Sequence, residues 1–401
     1  MAEPPDDLPN LRHLRLFEAA VRLGSLTMAS DVVHVSQPAA SQAVARLEKL
    51  FNQRLLNRSP GRIEPTPAGV IVNNRSLRAM AHLGEAARRV AARGRGQPGG
   101  SLERHATAAQ LRALSTYAEA GSFSAAARRL GQTEPAVQRA AREIEHILGL
   151  PLFEGVQHNL RLTPAGETVA QFSALALKEI ALAHEELREM AGVFDGRIVI
   201  GTLPLSRTRL VPEAVVQVMQ AFPDAKIEIL DGTYSSLIRS LRTGACDVIV
   251  GALRGKDCGQ GVTEQPLFLD SLAIVARAGH PLGQGRVAPA DLLKFPWVLP
   301  RKDSPARGVF DRVVEGGGDR GYIETGSLVA LRGVLLASDA VSIISPRQVD
   351  YELRQGLLTT LDLPLTDATR VIGTSLLAGV QPTALLSRFL AALDRVGGAD
   401  A

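Results

Sequence analysis

Small hydrogen-bonding side chains are grouped in one stretch near the start of the chain. After Ser36, the residues Gln37, Ser41 and Gln42 leave a polar face on a segment that carries apolar residues at helical spacing, namely Ala40, Ala43, Leu47 and Leu50. Serine and glutamine can hydrogen-bond to base edges, and arginines that follow at 54, 58 and 62 can pair with phosphates. The pattern predicts a helix that docks in the major groove of DNA. A surface helix that is merely rich in Ser and Gln is the alternative.

Residue types that could perform catalysis or bind a metal show no motif spacing. The eight histidines form no HExxH or paired-ligand pattern, and the sequence contains no GxSxG, no Walker A loop and no GxGxxG after a strand. Cys246 and Cys258 are too few for a disulfide framework and too far apart for a CxxC pair. We expect Cys246 to be buried, Cys258 to lie in an exposed loop and His280 to be structural. The sequence predicts a protein that is not an enzyme and has no cofactor or metal.

The length of 401 residues predicts two to four domains, and a charged content of 21% is ordinary for a folded chain. The first ten residues are acidic and proline-rich, unlike a signal peptide, and no apolar run approaches the ~18–20 residues of a membrane span. We therefore expect a cytoplasmic protein without a membrane partner.

Positive charge is concentrated at the start of the chain. Residues 1–100 hold 14 Lys and Arg against 8 Asp and Glu, residues 101–193 hold 9 against 11, and residues 194–401 hold 22 against 22. Such segregation is typical of a surface that docks on a polyanion.

The chain contains an internal repeat. A shift of 97 positions aligns residues 14–69 with residues 111–166 without a gap and gives 14 identities in 56 positions, among them Thr-Pro-Ala-Gly at 66–69 and 163–166. Each copy predicts helices joined by tight turns, with Gly24 ending the first helix and Ser36 capping the third. The stretch GRGQPGG at 94–100 predicts a flexible linker.

The first copy resembles a known family at these residues. GSLTMAS, VSQPAASQAVARLE, LLNR and TPAG, in this order and spacing, resemble the winged helix-turn-helix of LysR-type transcriptional regulators. The resemblance implies that Ser36, Gln37, Pro38, Ser41 and Gln42 face double-stranded DNA and that Arg58 holds a phosphate. With Arg62 from the same turn, these are the predicted DNA-binding residues.

The second copy departs from the family where recognition would occur. QTEPAVQRAAREIE has Glu134 in place of Gln37 and Gln138 in place of Ser41, and Gly155 stands in place of Arg58. A carboxylate near phosphates is repulsive. The second copy is therefore structural, or a weak or altered DNA reader, because Arg139, Arg142 and Arg161 still allow contact.

An apolar stripe follows each copy at helical spacing. The second stripe resembles the family's linker helix, which pairs two subunits, and we predict a homo-dimer or tetramer; the alternative is packing on its own domain. For the first stripe both interpretations stay open. The predicted dimerisation residues are Val169, Phe172, Ile180, Leu187 and Met190, and the first stripe comprises Leu77, Met80, Leu83, Ala87 and Val90.

From residue 197 onward, short β-branched runs alternate with helical segments, which predicts α/β architecture with largely parallel sheets. The order of these segments resembles the family's effector-binding domain, which has two lobes like periplasmic binding proteins. Ligands of such folds bind in the cleft, near helix N-termini. The resemblance implies an effector site at Leu205, Ser206, Thr233, Arg301, Ser304 and Ser327, with Arg207 as a further partner for an anion; helix capping and solvation are the alternative roles.

The sequence as a whole predicts an α/β protein with two all-α winged helix-turn-helix domains and a two-lobed α/β effector domain. The predicted bounds are 11–69 and 108–166 for the two copies, 70–93 and 167–193 for the helices after them, 94–107 for the linker and 194–401 for the effector domain. The predicted function is DNA-binding regulation by a small-molecule effector, either an organic anion, an aromatic acid or a sugar. A sensor or solute-binding protein whose helical domains contact other proteins is the alternative.

Overall fold

The computed structural model describes residues 8–59, 62–92, 101–156, 160–283, 285–302, 304–314 and 321–398. The chain forms two compact units that divide between Asp195 and Gly196. The first unit contains both copies of the repeat, and the second contains the α/β segments.

The first copy is three helices followed by a two-stranded wing and a long helix. Gly24 adopts a left-handed conformation at the end of the first helix, and the side chains of Ser25, Ser36 and Thr66 cap the next three. The elements are α1 (Leu11–Leu23), α2 (Leu26–Val33), α3 (Gln37–Phe51), β1 (Leu56–Ser59), β2 (Arg62–Pro65) and α4 (Pro67–Ala91).

The second copy repeats this order after a short helix. Its wing is two residues per strand, so each copy is helical apart from an antiparallel β-ribbon. The elements are α5 (Leu102–His105), α6 (Ala108–Ala120), α7 (Phe123–Leu130), α8 (Glu134–Leu148), β3 (Phe153–Glu154), β4 (Arg161–Leu162) and α9 (Pro164–Met190).

The predicted linker at 94–107 extends too far. Residues 94–100 lie outside the described residues, but Leu102 begins α5 and is fully buried, and Thr107 caps α6 in a capping box with Gln110. An apolar residue with a buried side chain anchors the chain immediately after GRGQPGG, so the stretch from 101 onward is ordered structure.

Residues identical in the two copies hold the wing against the helices. Glu48 accepts hydrogen bonds from the backbone N–H groups of Leu55 and Leu56 at 2.9 and 3.3 Å, and Glu145 does the same in the second copy. A Cβ on Gly69 would lie 2.0 Å from the Leu55 carbonyl oxygen, and one on Gly166 would make the equivalent clash. The repeat therefore preserves a framework, while the polar face of the third helix differs.

The second unit contains two five-stranded sheets. One has the order β6-β5-β7-β14-β8 and the other the order β11-β10-β12-β9-β13. The strands are β5 (Arg197–Thr202), β6 (Lys226–Asp231), β7 (Val248–Ala252), β8 (Val262–Ser271), β9 (Ala273–Arg277), β10 (Trp297–Leu299), β11 (Tyr322–Glu324), β12 (Val341–Ile344), β13 (Leu358–Thr360) and β14 (Thr369–Leu377).

Helices cover these sheets and separate most of the strands. They are α10 (Leu210–Ala221), α11 (Tyr234–Arg242), α12 (Pro289–Leu292), α13 (Pro305–Val313), α14 (Leu328–Ala337), α15 (Asp350–Arg354) and α16 (Ala384–Gly398). Short 3₁₀ helices lie at Pro204–Arg207, Gly255–Cys258 and Pro346–Val349.

The chain passes from the first sheet to the second after β8 and returns before β14, so the unit has two lobes joined by two crossings. Strands β5, β6 and β7 are parallel, as are β10, β11 and β12, but β14 and β9 run antiparallel to their neighbours. The sheets are thus mixed rather than largely parallel. Among the described residues, no helix is long and apolar enough to cross a membrane.

Candidate functional site

Helix α3 of the first copy presents a polar face to solvent. Ala40, Val44 and Leu47 are buried on its other side. The exposed side includes Gln37, Pro38, Gln42 and two cations that the motif did not single out, Arg46 and Lys49, while Ser41 is half-buried. The Ser36 hydroxyl caps the helix by accepting a hydrogen bond of 3.4 Å from the Ala39 N–H, and no acidic residue lies in its first turn. The N-terminal end of α3 is therefore electropositive.

The wing follows directly. Arg62 is three-quarters exposed and forms a 3.1 Å ion pair with Glu64 on the same strand. The backbone of Arg58 pairs with Ile63 across the ribbon, but its side chain lies outside the described part of the structure.

The corresponding helix of the second copy, α8, is also exposed but carries other charges. Glu134, Arg139 and Glu143 are exposed at the positions that align with Gln37, Gln42 and Arg46 of the first copy. Arg142 pairs with Glu145 at 3.1 Å and stacks on the Phe153 ring. This surface is hydrogen-bonding and of mixed charge.

The two long helices pack against each other within the chain. Arg75 of α4 contacts Glu186 near the end of α9, while the Arg89 guanidinium lies over the ring of Phe172, in the first half of α9. The helices are therefore antiparallel. Four of the five predicted dimerisation residues are buried in this unit and the fifth, Met190, is exposed; the buried residues are Val169, Phe172, Ile180 and Leu187.

The buried stripe of α4 differs from the predicted one. Leu83 and Val90 belong to it, but Leu77 is exposed and Arg75 is fully buried. The Arg75 guanidinium donates to Glu179 Oε2 at 2.8 Å and to both oxygens of Glu186. Burial alone would raise the pKa of Glu179, but hydrogen bonds from His82, Arg78 and Arg75 outweigh it and lower the pKa to about 2.

A cavity of about 760 Å³ lies between the two lobes of the second unit. Thr233, Ser304 and Ser327 line it, and each caps the N-terminus of a helix: α11, α13 and α14, respectively. Three helix N-termini therefore point their partial positive charge toward one space. Leu205 also lines the cavity.

Ser206 does not belong to that lining. Its side chain is fully buried, and its hydroxyl lies 2.9 Å from the Leu203 carbonyl and 2.8 Å from that of Val250, which ties the Pro204–Arg207 turn to β7. The side chain of Ser206 therefore supports the cavity wall from behind.

Two predicted arginines line the same space. Arg301 is exposed at the cavity rim, and Arg207 forms a 3.0 Å ion pair with Asp231 while donating to the Thr202 carbonyl at 2.7 Å. Burial lowers the pKa of Arg207 against the opposing charge of Asp231, and Arg301 lowers it further. The two guanidinium groups therefore repel each other, and an anion bound between them would relieve this repulsion.

Comparison with known families decides the identity. The family described as "Bacterial regulatory helix-turn-helix protein, lysR family" matches residues 11–70 and again residues 108–167. The family described as "LysR substrate binding domain" matches residues 191–397, more than half of the chain. The chain belongs to the LysR family. These matches confirm the prediction of a LysR-type, DNA-binding transcriptional regulator with an effector-binding domain. Members of this family are transcriptional regulators and not enzymes.

Two relatives of this LysR-type regulator cover different shares of the chain. The HTH-type transcriptional regulator GalR of Pseudomonas putida is 30% identical over 370 residues, 92% of each chain. PcaQ of Agrobacterium fabrum is 27% identical over 296 residues, which are 95% of PcaQ but only 72% of this chain.

Solved structures show the same fold. Full-length OxyR from Pseudomonas aeruginosa has a TM-score of 0.56 at 22% identity and covers 73% of this chain and 95% of its own. LysG from Corynebacterium glutamicum, determined with bound effector Arg, has a TM-score of 0.55 at 18% identity and covers 73% of this chain and 98% of its own.

Three further arginines of this LysR-type regulator line the cavity and were not predicted. Arg254 stacks over Tyr234 at 4.6 Å. Arg332 pairs with Glu352 at 3.0 Å, and Arg370 donates to the buried Asp270 at 2.9 Å. They come from separate parts of the chain, so no local motif could have grouped them.

Cys246 is buried, as the sequence predicts. Cys258, which was expected in an exposed loop, ends the short 3₁₀ helix Gly255–Cys258 and is only partly exposed. His280 is buried, with Nδ1 accepting from the Leu282 N–H at 3.1 Å and Nε2 3.2 Å from the Asp339 carbonyl. Its ring holds a turn.

Proposed function

We propose that the first copy contacts specific bases through α3 and that the wing holds the DNA backbone. The observation that carries this is the exposed polar face of α3, which begins at an electropositive helix end without an acidic residue. Glutamine can make two hydrogen bonds to adenine in the major groove, which is the role proposed for Gln37 and Gln42. Ser36, Pro38 and Ser41 contact the DNA beside them, and Arg58 and Arg62 hold phosphates.

We further propose that the cavity binds a small organic anion. Among the residues that the structure describes, five arginines line it against a single lining carboxylate, that of Asp231, and three helix N-termini converge on it. Asp231, Glu352 and Asp270 neutralise part of this charge, while the cap hydroxyls of Thr233, Ser304 and Ser327 remain at the cavity surface. This balance favours an anion over a neutral sugar, and the Tyr234 ring suits an aromatic acid.

The ligand acts by population shift. A ligand that contacts both lobes binds one lobe arrangement more tightly than another and so changes how subunits of the oligomer place their DNA-binding domains. We propose that the protein acts in the cytoplasm, because a regulator of this kind has to reach DNA there.

Substitution of Gln37 and Gln42 by Ala tests base recognition. We expect each substitution to weaken binding to a sequence selected from random DNA roughly 10–100-fold, at about 1–3 kcal/mol per good base contact, while binding to random DNA is almost unchanged. Gln220→Ala, at an exposed position of α10 in the second unit, is the matched control. Equal losses on selected and random DNA would count against base recognition by α3.

Thermal unfolding with candidate ligands tests the cavity. Benzoate or succinate should raise the Tm of the wild type, because a ligand that binds only the folded state stabilises it. Arg301→Ala should abolish this shift, and Arg388→Ala, exposed on α16, should keep it. A Tm shift with glucose but with neither acid would overturn the anion proposal.

A further inference from the structure

The antiparallel pair of α4 and α9 joins two unlike domains. Each long helix continues directly from the wing of its own copy, α4 after β2 and α9 after β4. Since the helices are antiparallel, the two copies lie at opposite ends of the pair. The Phe51 ring, at the end of α3, contacts His184 near the end of α9 at 4.4 Å, in agreement with this placement.

The pair is built as a permanent interface. Arg75 is fully buried between Glu179 and Glu186, and Arg78 adds a 2.9 Å bond to Glu179. Elsewhere along the two helices, Leu83 and Val90 of α4 and Ile180 of α9 are buried. A buried arginine needs its carboxylates in place, since an unpaired buried charge is strongly destabilising. The fit of α4 is therefore specific to α9.

The second copy keeps side chains that can contact bases. Glu134 and Arg139 on α8 are exposed, and within the described residues neither has an ion pair or side-chain hydrogen bond. Arginine can bond to O6 and N7 of guanine, and a carboxylate can accept from N4 of cytosine. The same positions in α3 carry Gln37 and Gln42, which suit adenine.

We infer that a single chain carries two unlike DNA-binding surfaces joined by α4 and α9 and therefore fits an asymmetric operator, with an adenine-containing half-site for α3 and a G·C-containing half-site for α8. The inference rests on the proposed DNA contacts of the first copy.

The geometry of the pair suits two half-sites on one face of DNA. The 25 residues of α4 and the 27 of α9 make each helix roughly 40 Å long at about 1.5 Å per residue. Successive major grooves on one face recur every ~34–36 Å. Because antiparallel helices that carry equivalent domains are related by an approximate two-fold axis, the half-sites are expected in inverted orientation.

Selection of bound sequences from random DNA with the full chain tests this inference. We expect two unlike halves at fixed spacing. Two identical inverted halves, or one half alone, would overturn the inference while leaving DNA recognition by α3 intact. Failure to enrich any sequence, even at low salt, would instead count against the proposed function.

A second experiment uses a variant in which three residues of α8 are replaced by the residues at the same positions of α3. Glu134→Gln, Gln138→Ser and Arg139→Gln change exposed or half-exposed side chains, and the circular dichroism spectrum checks that the fold is kept. We expect this variant to enrich a motif whose second half has become a copy of the first. An unchanged wild-type motif would overturn the inference. As a matched control, Arg128→Gln on α7 should leave both halves unchanged.

Discussion

The buried Arg75 guanidinium donates a 2.8 Å hydrogen bond to Glu179 and so joins the helix of one repeat copy to that of the other. The two residues are 104 positions apart. Both side chains are almost inaccessible to solvent, with Arg75 at 0% and Glu179 at 6% exposure. The contact links the two halves of the DNA-binding unit through a desolvated charge pair.

Replacing Arg75 by Met should destabilise the first unit strongly. Removal of Arg75 takes from Glu186 the guanidinium that bonds both its oxygens and leaves the buried Glu179 with only Arg78 and His82, and breaking such a buried network costs about 3–5 kcal/mol. Urea unfolding of the full chain measures the change. The double variant Arg75→Met and Glu179→Leu should lose less stability than the two single variants together, because both single changes remove the same Arg75–Glu179 contact.

An exposed pair supplies the comparison for Arg75. Arg22 and Glu18 form a 3.0 Å ion pair with Arg22 more than half exposed, so Arg22→Met should change stability by about 0.5 kcal/mol or less. If Arg22→Met and Arg75→Met changed the free energy of unfolding equally, the buried ion-pair network would not stabilise the helix pair.

Stability should fall with decreasing pH in a window that Glu179 defines. Its pKa is about 2 in the folded protein against 4.5 unperturbed, so below pH 4.5 the unfolded state binds more protons than the folded state. The stabilisation is complete above pH 4.5 and is lost as the pH falls toward 2, and it amounts to about 3 kcal/mol.

Denaturant unfolding at several pH values between 5.5 and 3 measures this dependence. Glu179→Gln should reduce the slope of unfolding free energy against pH, while Glu64→Gln, on the exposed wing, should keep the wild-type slope. Identical slopes for wild type and Glu179→Gln would show that this carboxyl has no depressed pKa.

Opposite charges on the wing should have opposite effects on DNA affinity. Arg62→Ala should weaken binding to selected DNA and to random DNA alike, and it should reduce the slope of log K against log salt by about 1. Glu64→Ala removes the ion-pair partner of Arg62 and an anion from the same strand, so it should raise affinity for both. A loss confined to the selected sequence would assign Arg62 to base contact instead. Filter binding at several salt concentrations distinguishes these outcomes.

Local features of the sequence predicted where helices begin and end. They did not predict which helices pack together, because that depends on contacts between residues far apart in the chain. Ser36 as a helix cap and Gly24 as a helix end follow from chemistry within four residues, and the structure has both. The apolar stripe of α9 was also visible, since periodicity marks a buried face. Periodicity does not name the partner of that face. In the structure, Arg75 shows that α4 is the partner, because its buried guanidinium bonds to α9. A search of the sequence for buried apolar residues does not find a buried arginine.

The cavity shows the same division. Thr233 and Ser327 were predicted from the family resemblance and from their places at the start of helical segments, and the structure has both as helix caps. Arg370 could not be, because it lies within β14, a strand that the alternation of β-branched runs did not reveal, and its role depends on Asp270, 100 residues away. Charge pairing over such distances leaves no local pattern.

Substitution of Gly69 by Ala should disrupt the first copy, whereas Gly84→Ala in the same helix should not. A Cβ at position 69 would lie 2.0 Å from the Leu55 carbonyl oxygen, and that oxygen also accepts from the Thr66 N–H at 3.0 Å, so neither group can move without breaking the wing-to-helix junction. We expect destabilisation of about 1–3 kcal/mol or more and loss of specific DNA binding.

At position 84 nothing lies within 4 Å of the added atom, so Ala should stabilise α4 by about 0.5–1 kcal/mol through its higher helix propensity. Urea unfolding and binding to selected DNA compare the two variants, and equal stability of both would contradict the close approach that makes this glycine, and Gly166 in the second copy, part of the repeated framework.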